Sequence, residues 1–205
     1  MYVPPAFSLD DEAAWAVVRE GGAGMLVRTT STGLASVFVP VVLSSEKTVL
    51  TSHVARANSW WRDAIEGEEV LALFLAASSY VSPSYYPSRM ENPGVVPTWN
   101  YVAAEVHGQL YVHDDAEWLR AQVRTVTDSF EENRSPRWSV DDAPSDFISH
   151  QLRAIVGLEI RVTSIEGKAK LSQNRPGIDH DNVALELARR GLAEQNVARR
   201  MPRVD

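Results

Sequence analysis

Apolar residues along this chain follow two different periods, and the switches between them mark its elements. From residue 24 to residue 75 they fall in short runs, GMLVRTT, LASVFVPVVL, TVLTS and EVLALFL, separated by turn residues such as Thr32-Gly33 and Ser44-Ser45. Runs of this length, rich in Val, Leu, Thr and Phe, predict strands of an antiparallel meander or barrel. Between the third and fourth runs, Val54, Ala57, Trp61 and Ile65 recur every three or four residues ahead of Gly67, which predicts a helix inserted within the sheet. Further on, Val102, Ala104 and Val106 alternate with Ala103, Glu105 and His107, and Leu158, Ile160 and Val162 alternate with Glu159, Arg161 and Thr163. Period two predicts two more strands, each with one face buried.

Helical spacing appears elsewhere. Ser8 and Asp11 form a capping-box-like start before Trp15 and Val18, and Gly21-Gly22 stops that first helix. Asp114-Asp115 precede Leu119, Val123, Val126 and Phe130, a stripe fit to pack on the barrel. Pro144 opens a turn that presents Phe147, Ile148, Leu152 and Ile155 on one face. A final helix is predicted over Asp181–Arg190, with Gly191 as its left-handed cap. The first three strand runs follow one another with no room for crossover helices between them, so an antiparallel barrel is favoured over βαβ units. The expected fold is a mainly β barrel of six or seven mostly antiparallel strands. It forms a single domain over residues 1–205, with an N-terminal helix and a C-terminal helical tail.

Composition changes this picture only by exclusion. There is no cysteine, which removes thiolate chemistry and disulfides. No run reaches the roughly 18 apolar residues of a membrane helix, and the start MYVPPAFSLDDE has neither the basic nor the apolar region of a signal peptide, so a cytoplasmic protein is expected. The five histidines lie far apart with no H-x-H or H-x₃-H pair, and the carboxylates of IDHDN sit at a predicted helix start, so no metal site is expected. The formal net charge of −7 opposes attraction to a nucleic acid backbone. Direct DNA binding would have to use Arg189, Arg190, Arg199, Arg200 and Arg203, which read more simply as solvated helix-end charges. Nucleotide-loop, nucleophile-elbow and zinc-protease motifs are missing, and no catalytic residue can be named.

Three segments carry candidate chemistry. TSHVARAN places Thr51 and Ser52 at a strand end ahead of Arg56 and Asn58, a group able to cradle a phosphate. GKAKLSQNR gathers Lys168, Lys170 and Arg175 with Ser172, Gln173 and Asn174, donors suited to an anion or to the carbonyls of a heterocycle. The stretch SSYVSPSYYPSRMENPGVVPTWNY combines five aromatic rings with Pro83, Pro87, Pro93 and Pro97, far more apolar surface than an ordinary connector needs.

Taken in order after MYVPPAF, the phrases HVARAN, SYVSPSYYPSR, VPTWNY and GKAKLSQNR closely resemble the PaiB-type FMN-binding negative transcriptional regulators over nearly the whole chain. The resemblance implies an FMN-binding split β-barrel of the pyridoxamine-phosphate-oxidase-like kind and a homodimer with FMN at its interface. It implies cofactor contacts from Ser36, Val37, Phe38, Val39 and Pro40, from Thr51 and Ser52, and from Arg56, Ala57 and Asn58. Trp99, Asn100, Lys170 and Ser172 are the expected contribution of the second subunit. It also implies either flavin-dependent oxidoreductase chemistry or regulation, with repression acting on DNA or through a partner. The sequence departs from the family pattern at Phe38, where a histidine is frequent, and at Ser59, Tyr85 and Arg89, usually proline, tryptophan and lysine. Phe38 removes an imidazole that could donate or exchange a proton.

Overall fold

The computed structural model describes residues 1–202. Its strands are β1 (Ser8–Leu9), β2 (Ala23–Thr30), β3 (Gly33–Pro40), β4 (Val42–Leu43), β5 (Val49–Ala55), β6 (Glu68–Val81), β7 (Thr98–His113) and β8 (Ile155–Lys170). The helices are α1 (Asp11–Gly21), α2 (Ala116–Glu131), α3 (Ser145–Leu152), α4 (Gly177–Ala188) and α5 (Leu192–Arg200). Sheet order is β3-β2-β6-β7-β8-β5-β4, with β1 added to β8. The pairs β1/β8, β2/β3, β2/β6, β4/β5 and β5/β8 are all antiparallel. The count exceeds six or seven because β1 and β4 are two-residue strands.

The chain forms two compact units. One comprises Gly22–Leu73 and Val106–Ile165; its core is the inward parity of its strands, Leu26, Val39, Leu50, Val54, Ala72, Val106, Leu110, Val156, Leu158 and Ile160. Each fully buried Val, Leu or Ile there contributes about 1.5–3 kcal/mol. In the same unit Asp115 caps α2 by accepting from the Trp118 amide at 2.8 Å. Leu119 of α2 then packs with Val140, Ile148 and Leu152, the last two on α3. The Trp118 ring packs against Gly157, where any Cβ would overlap it.

The other unit comprises Met1–Gly21, Phe74–Glu105 and the chain from Glu166. Helix α1 buries Ala14, Trp15, Val17 and Val18. Its approach to β8 depends on Gly167, whose added Cβ would sit 2.7 Å from that of Ala14. The cap of α1 is Asp10, whose Oδ1 accepts from the Ala13 amide at 2.8 Å. Ser8 instead pairs with Lys168 in β1/β8, so the expected capping box is replaced by a strand.

Two further expectations are corrected. Residues 53–67 form no α-helix: β5 runs to Ala55 and is followed by one 3-10 turn at Ser59–Trp61. The spacing of Val54, Ala57, Trp61 and Ile65 competed with a period of two at Leu50, Ser52 and Val54. The strand won because β8 pairs with it, Val54 opposite Val156, while Ile65 remains 72% exposed. At the C-terminal end, α4 starts at Gly177 after Pro176, and Gly191 has φ −70°, so it begins α5 instead of closing α4 in the left-handed region.

Candidate functional site

The candidates at Ser36–Pro40 and Thr51–Asn58 all lie in the unit built on β2–β5. Strand β3 ends the sheet order and pairs with β2 through its ladder, so alternate backbone amides and carbonyls face away from the sheet. Ser36, Phe38 and Pro40 are outward-facing positions, whereas Val39 is buried. Phe38 is 66% exposed and stands opposite Met25, which in turn stands opposite Leu73. All three side chains are exposed, an apolar row across three adjacent strands.

Strand β5 brings Ser52 beside the end of β3: its buried hydroxyl donates to the Pro40 carbonyl at 2.6 Å. That proton is already used, so Ser52 fixes strand spacing and can offer a ligand only an acceptor. Thr51, on the opposite parity, pairs with Val42 and lines a cavity of about 320 Å³ with Leu43, Ser44, Trp118, Gln122 and Thr125. Gln122 is buried; its Oε1 lies 2.9 Å from His53 Nδ1, and its Nε2 has no hydrogen-bond partner among the described residues. A buried amide donor without an acceptor is costly unless something supplies one. Sequence reasoning did not select Gln122, although a polar residue three positions after Leu119, on the buried side of a helix, was the available signal.

Arg56 follows β5 and is extensively engaged. Its guanidinium forks onto both oxygens of Asp114, and it also donates to the carbonyls of Arg153 at 2.8 Å and Ile155 at 3.0 Å. The paired carboxylate raises the Arg56 pKa, and the same hydrogen bonding holds the Asp114 carboxyl below its ordinary value. One N–H of five remains for a ligand. Asn58 Oδ1 accepts from the Trp60 amide at 2.9 Å, which starts the 3-10 turn and leaves the side-chain amide to donate. Ala57 lies between them, exposed on the turn. With no helix here, a helix dipole adds nothing to anion binding.

The turn after Asn58 is held from below by Arg28, whose side chain is 0% exposed. Arg28 donates to Trp60 O at 2.8 Å and to Glu68 at 2.9 Å, pairs with Asp63, and stacks 5.2 Å from the Trp60 ring centroid. Trp60 Nε1 donates to Ala35 O on β3 at 3.3 Å. One buried guanidinium thus ties β2 and β6 to the 58–63 turn, and the Trp60 indole ties that turn to β3.

Trp99, Asn100, Lys170 and Ser172 lie in the other unit and contact one another. Lys170 Nζ donates to Trp99 O at 2.7 Å and to Thr98 Oγ1, and Ser172 Oγ donates to Asn100 Oδ1 at 3.1 Å. Asn100 and Ser172 are buried, while Trp99 is exposed and meets Tyr80 edge-on at 6.2 Å. Burial, then the charges of Lys168 and Arg175, lower the Lys170 pKa. Within the proline-rich stretch, Tyr85 and Tyr86 are buried beneath Arg190 and Arg175 at 5.1 and 4.4 Å. Asp179 on α4 accepts from Ser88 N at 3.0 Å and Oγ at 2.6 Å. Its carboxylate therefore pins this loop instead of capping a helix.

Of the C-terminal arginines, Arg189 pairs with Glu186 and Arg200 with Glu20; Arg203 lies outside the described residues. Among the described residues, no three His, Asp or Glu side chains converge as a metal site, and no helix is long and apolar enough to cross a membrane.

Residues 1–164 match the family model described as "Putative FMN-binding domain". The chain is 32% identical over 190 residues to Protease synthase and sporulation protein PAI 2 of Bacillus subtilis, covering 91% of this chain and 89% of that one. Among solved structures, the conserved hypothetical protein Rv2991 of Mycobacterium tuberculosis superposes with a TM-score of 0.59 at 8% identity, covering 86% and 94% of the two chains. The FAD and heme binding protein of Mycobacterium smegmatis does so with a TM-score of 0.55 at 16% identity, covering 78% and 71%. At such identities the structural likeness is one of fold, and the fold is the mostly antiparallel split-barrel class expected from the sequence.

Proposed function

The chain belongs to the FMN-binding domain family, and from that membership we propose a homodimeric, cytoplasmic FMN protein acting as a flavin-dependent oxidoreductase or flavin-linked regulator. The observation that carries this is the open edge of β3 beside donors that match a flavin and its phosphate. Outward backbone groups of Ser36–Pro40 suit the polar edge of a heterocycle, and Phe38 offers an apolar surface. The Thr51 hydroxyl, the last free N–H of Arg56, the Ala57 backbone and the Asn58 amide suit phosphate oxygens. The Ser52 hydroxyl holds the two strands at the spacing this requires. The partnerless Nε2 of buried Gln122, on the cavity that Thr51 lines, is consistent with a polar ligand on this side of the sheet. Bound FMN supplies hydride or electron transfer, so the chain need only bind, orient and shield it.

The exposed Phe38–Met25–Leu73 row supports a partner subunit covering this face. Trp99 and Lys170 are the groups of the second cluster with surface left for the partner's flavin, while Asn100 and Ser172 hold them in place. A regulatory role is kept because the B. subtilis relative is named for protease synthesis and sporulation. The ion pairs of Arg189 and Arg200, with the net charge of −7, favour action through a partner protein over direct DNA contact.

Anaerobic mixing of FMN-loaded protein with NADH or NADPH tests the choice. Bleaching of the flavin band supports the oxidoreductase. An unbleached flavin, with promoter DNA shifted in a salt-dependent manner, would replace it with direct repression.

A further inference from the structure

A cavity of about 700 Å³ in the unit built on β2–β5 lies between α2 and α3 and is lined by Arg56, Asp114, Glu117, Arg120, Ser149 and Arg153 over a floor that includes Leu119 and Leu152. It lies on a different face of α2 from the Thr51 cavity: Ala116, Glu117 and Arg120 line this one, whereas Trp118, Ala121, Gln122 and Thr125 line the other. The charges here are unequally satisfied. Arg56 is neutralised by Asp114. Arg120 is half-buried and donates to Ser149 Oγ at 3.0 Å, but neither it nor Arg153 has a carboxylate partner among the described residues. Glu117, the remaining carboxylate lining the cavity, likewise forms no ion pair among the described residues.

We propose that this cavity is a binding site for a small organic carboxylate with an apolar body, distinct from the flavin's own site although Arg56 borders both. Three guanidiniums face two carboxylates, leaving one uncompensated positive charge in a concave site, which suits a monoanion better than a phosphate dianion. Arg120 and Arg153 supply forked donors that match a carboxylate. The Ser149 hydroxyl, having accepted from Arg120, keeps its own proton to donate. Leu119 and Leu152, both buried, provide the apolar surface against which a ring or short chain packs. The ligand class follows from this donor set and does not depend on the flavin assignment.

Benzoate serves as the probe, with benzamide as its neutral analogue and inorganic phosphate as the bare anion, titrated calorimetrically into FMN-loaded protein. Saturable benzoate binding is expected, weaker for phosphate and for benzamide. Arg120→Gln and Arg153→Gln should each weaken benzoate about tenfold, as expected on removing one charge-assisted hydrogen bond, without changing FMN affinity. Arg153 is exposed and makes no side-chain hydrogen bond among the described residues, so its variant tests the site even if Arg120→Gln folds poorly. Absence of saturable binding, equal affinity for benzamide, or unchanged benzoate affinity in both variants would overturn the proposal. So would competition of benzoate or phosphate with FMN but not with riboflavin, because the cavity would then be the flavin's own phosphate site.

Discussion

Replacing Arg28 by Met removes the buried group that ties the 58–63 turn to β2 and β6, and through Trp60 to β3, while keeping the volume of the side chain. The guanidinium is fully buried and serves two carboxylates of different exposure: Glu68, 17% exposed, and Asp63, 45% exposed. Breaking a buried pair by deleting one partner costs about 3–5 kcal/mol. Asp63 can rotate into water, but Glu68 and the Trp60 carbonyl are left without their donor, so the lower end, about 3 kcal/mol, is expected. At about 2–4 °C per kcal/mol for a chain of this size, the Tm should fall by roughly 6–12 °C. Arg28→Lys should recover only part of this, since an ammonium cannot reach Trp60 O, Asp63 and Glu68 at once. Urea unfolding followed by tryptophan fluorescence measures the destabilisation, and FMN titration of the folded variant should show weakened binding as the 56–58 turn drifts from β3. A destabilisation under about 1 kcal/mol, well below the range for a broken buried pair, with unchanged FMN affinity would refute the role given to Arg28.

Arg56→Ala should weaken FMN more than riboflavin, because the guanidinium addresses the phosphate that riboflavin lacks; equal weakening in paired fluorescence titrations removes Arg56 from the phosphate site. Asp179→Ala should release the Ser88 anchor and speed limited proteolysis within residues 82–97, whereas an unchanged cleavage rate means that the buried Tyr85 and Tyr86 hold the loop alone. Hydrogen bonds from Arg28 and Arg56 hold the Asp63 and Asp114 carboxyls below their ordinary values. Their contribution to stability is therefore complete above the ordinary carboxylate value and disappears as pH falls through the depressed ones. Tm measured from pH 6 down to about pH 2 should drop less steeply in Asp114→Asn than in the parent, and an identical slope contradicts this.

Much of the architecture was legible because its elements have one dry face and one wet one. Val102, Ala104 and Val106 announced β7, and Asp115 ahead of the Leu119 stripe announced α2. Arg28 was not singled out, although it lies two residues after buried Leu26 on the same parity, and its partners Trp60, Asp63 and Glu68 could not be read from spacing. The failure at residues 53–67 has the same origin: a local helical period was overruled by pairing with β8, a strand remote in the sequence. The individual site residues were legible as chemistry but not as geometry. Nothing in HVARAN shows that Asp114 occupies much of the Arg56 guanidinium, or that Ser52 spends its proton on Pro40. Gln122 carried a signal in its position three residues after Leu119, but its burial and its bond to His53 depend on how α2 meets β5.

Titration of purified, flavin-free protein with FMN, followed by visible absorbance and flavin fluorescence, tests the central claim most directly. Saturation near one FMN per chain, with the Phe38→Asp variant binding markedly less, is the predicted result. Failure to bind FMN under any condition in which the protein remains folded would contradict it.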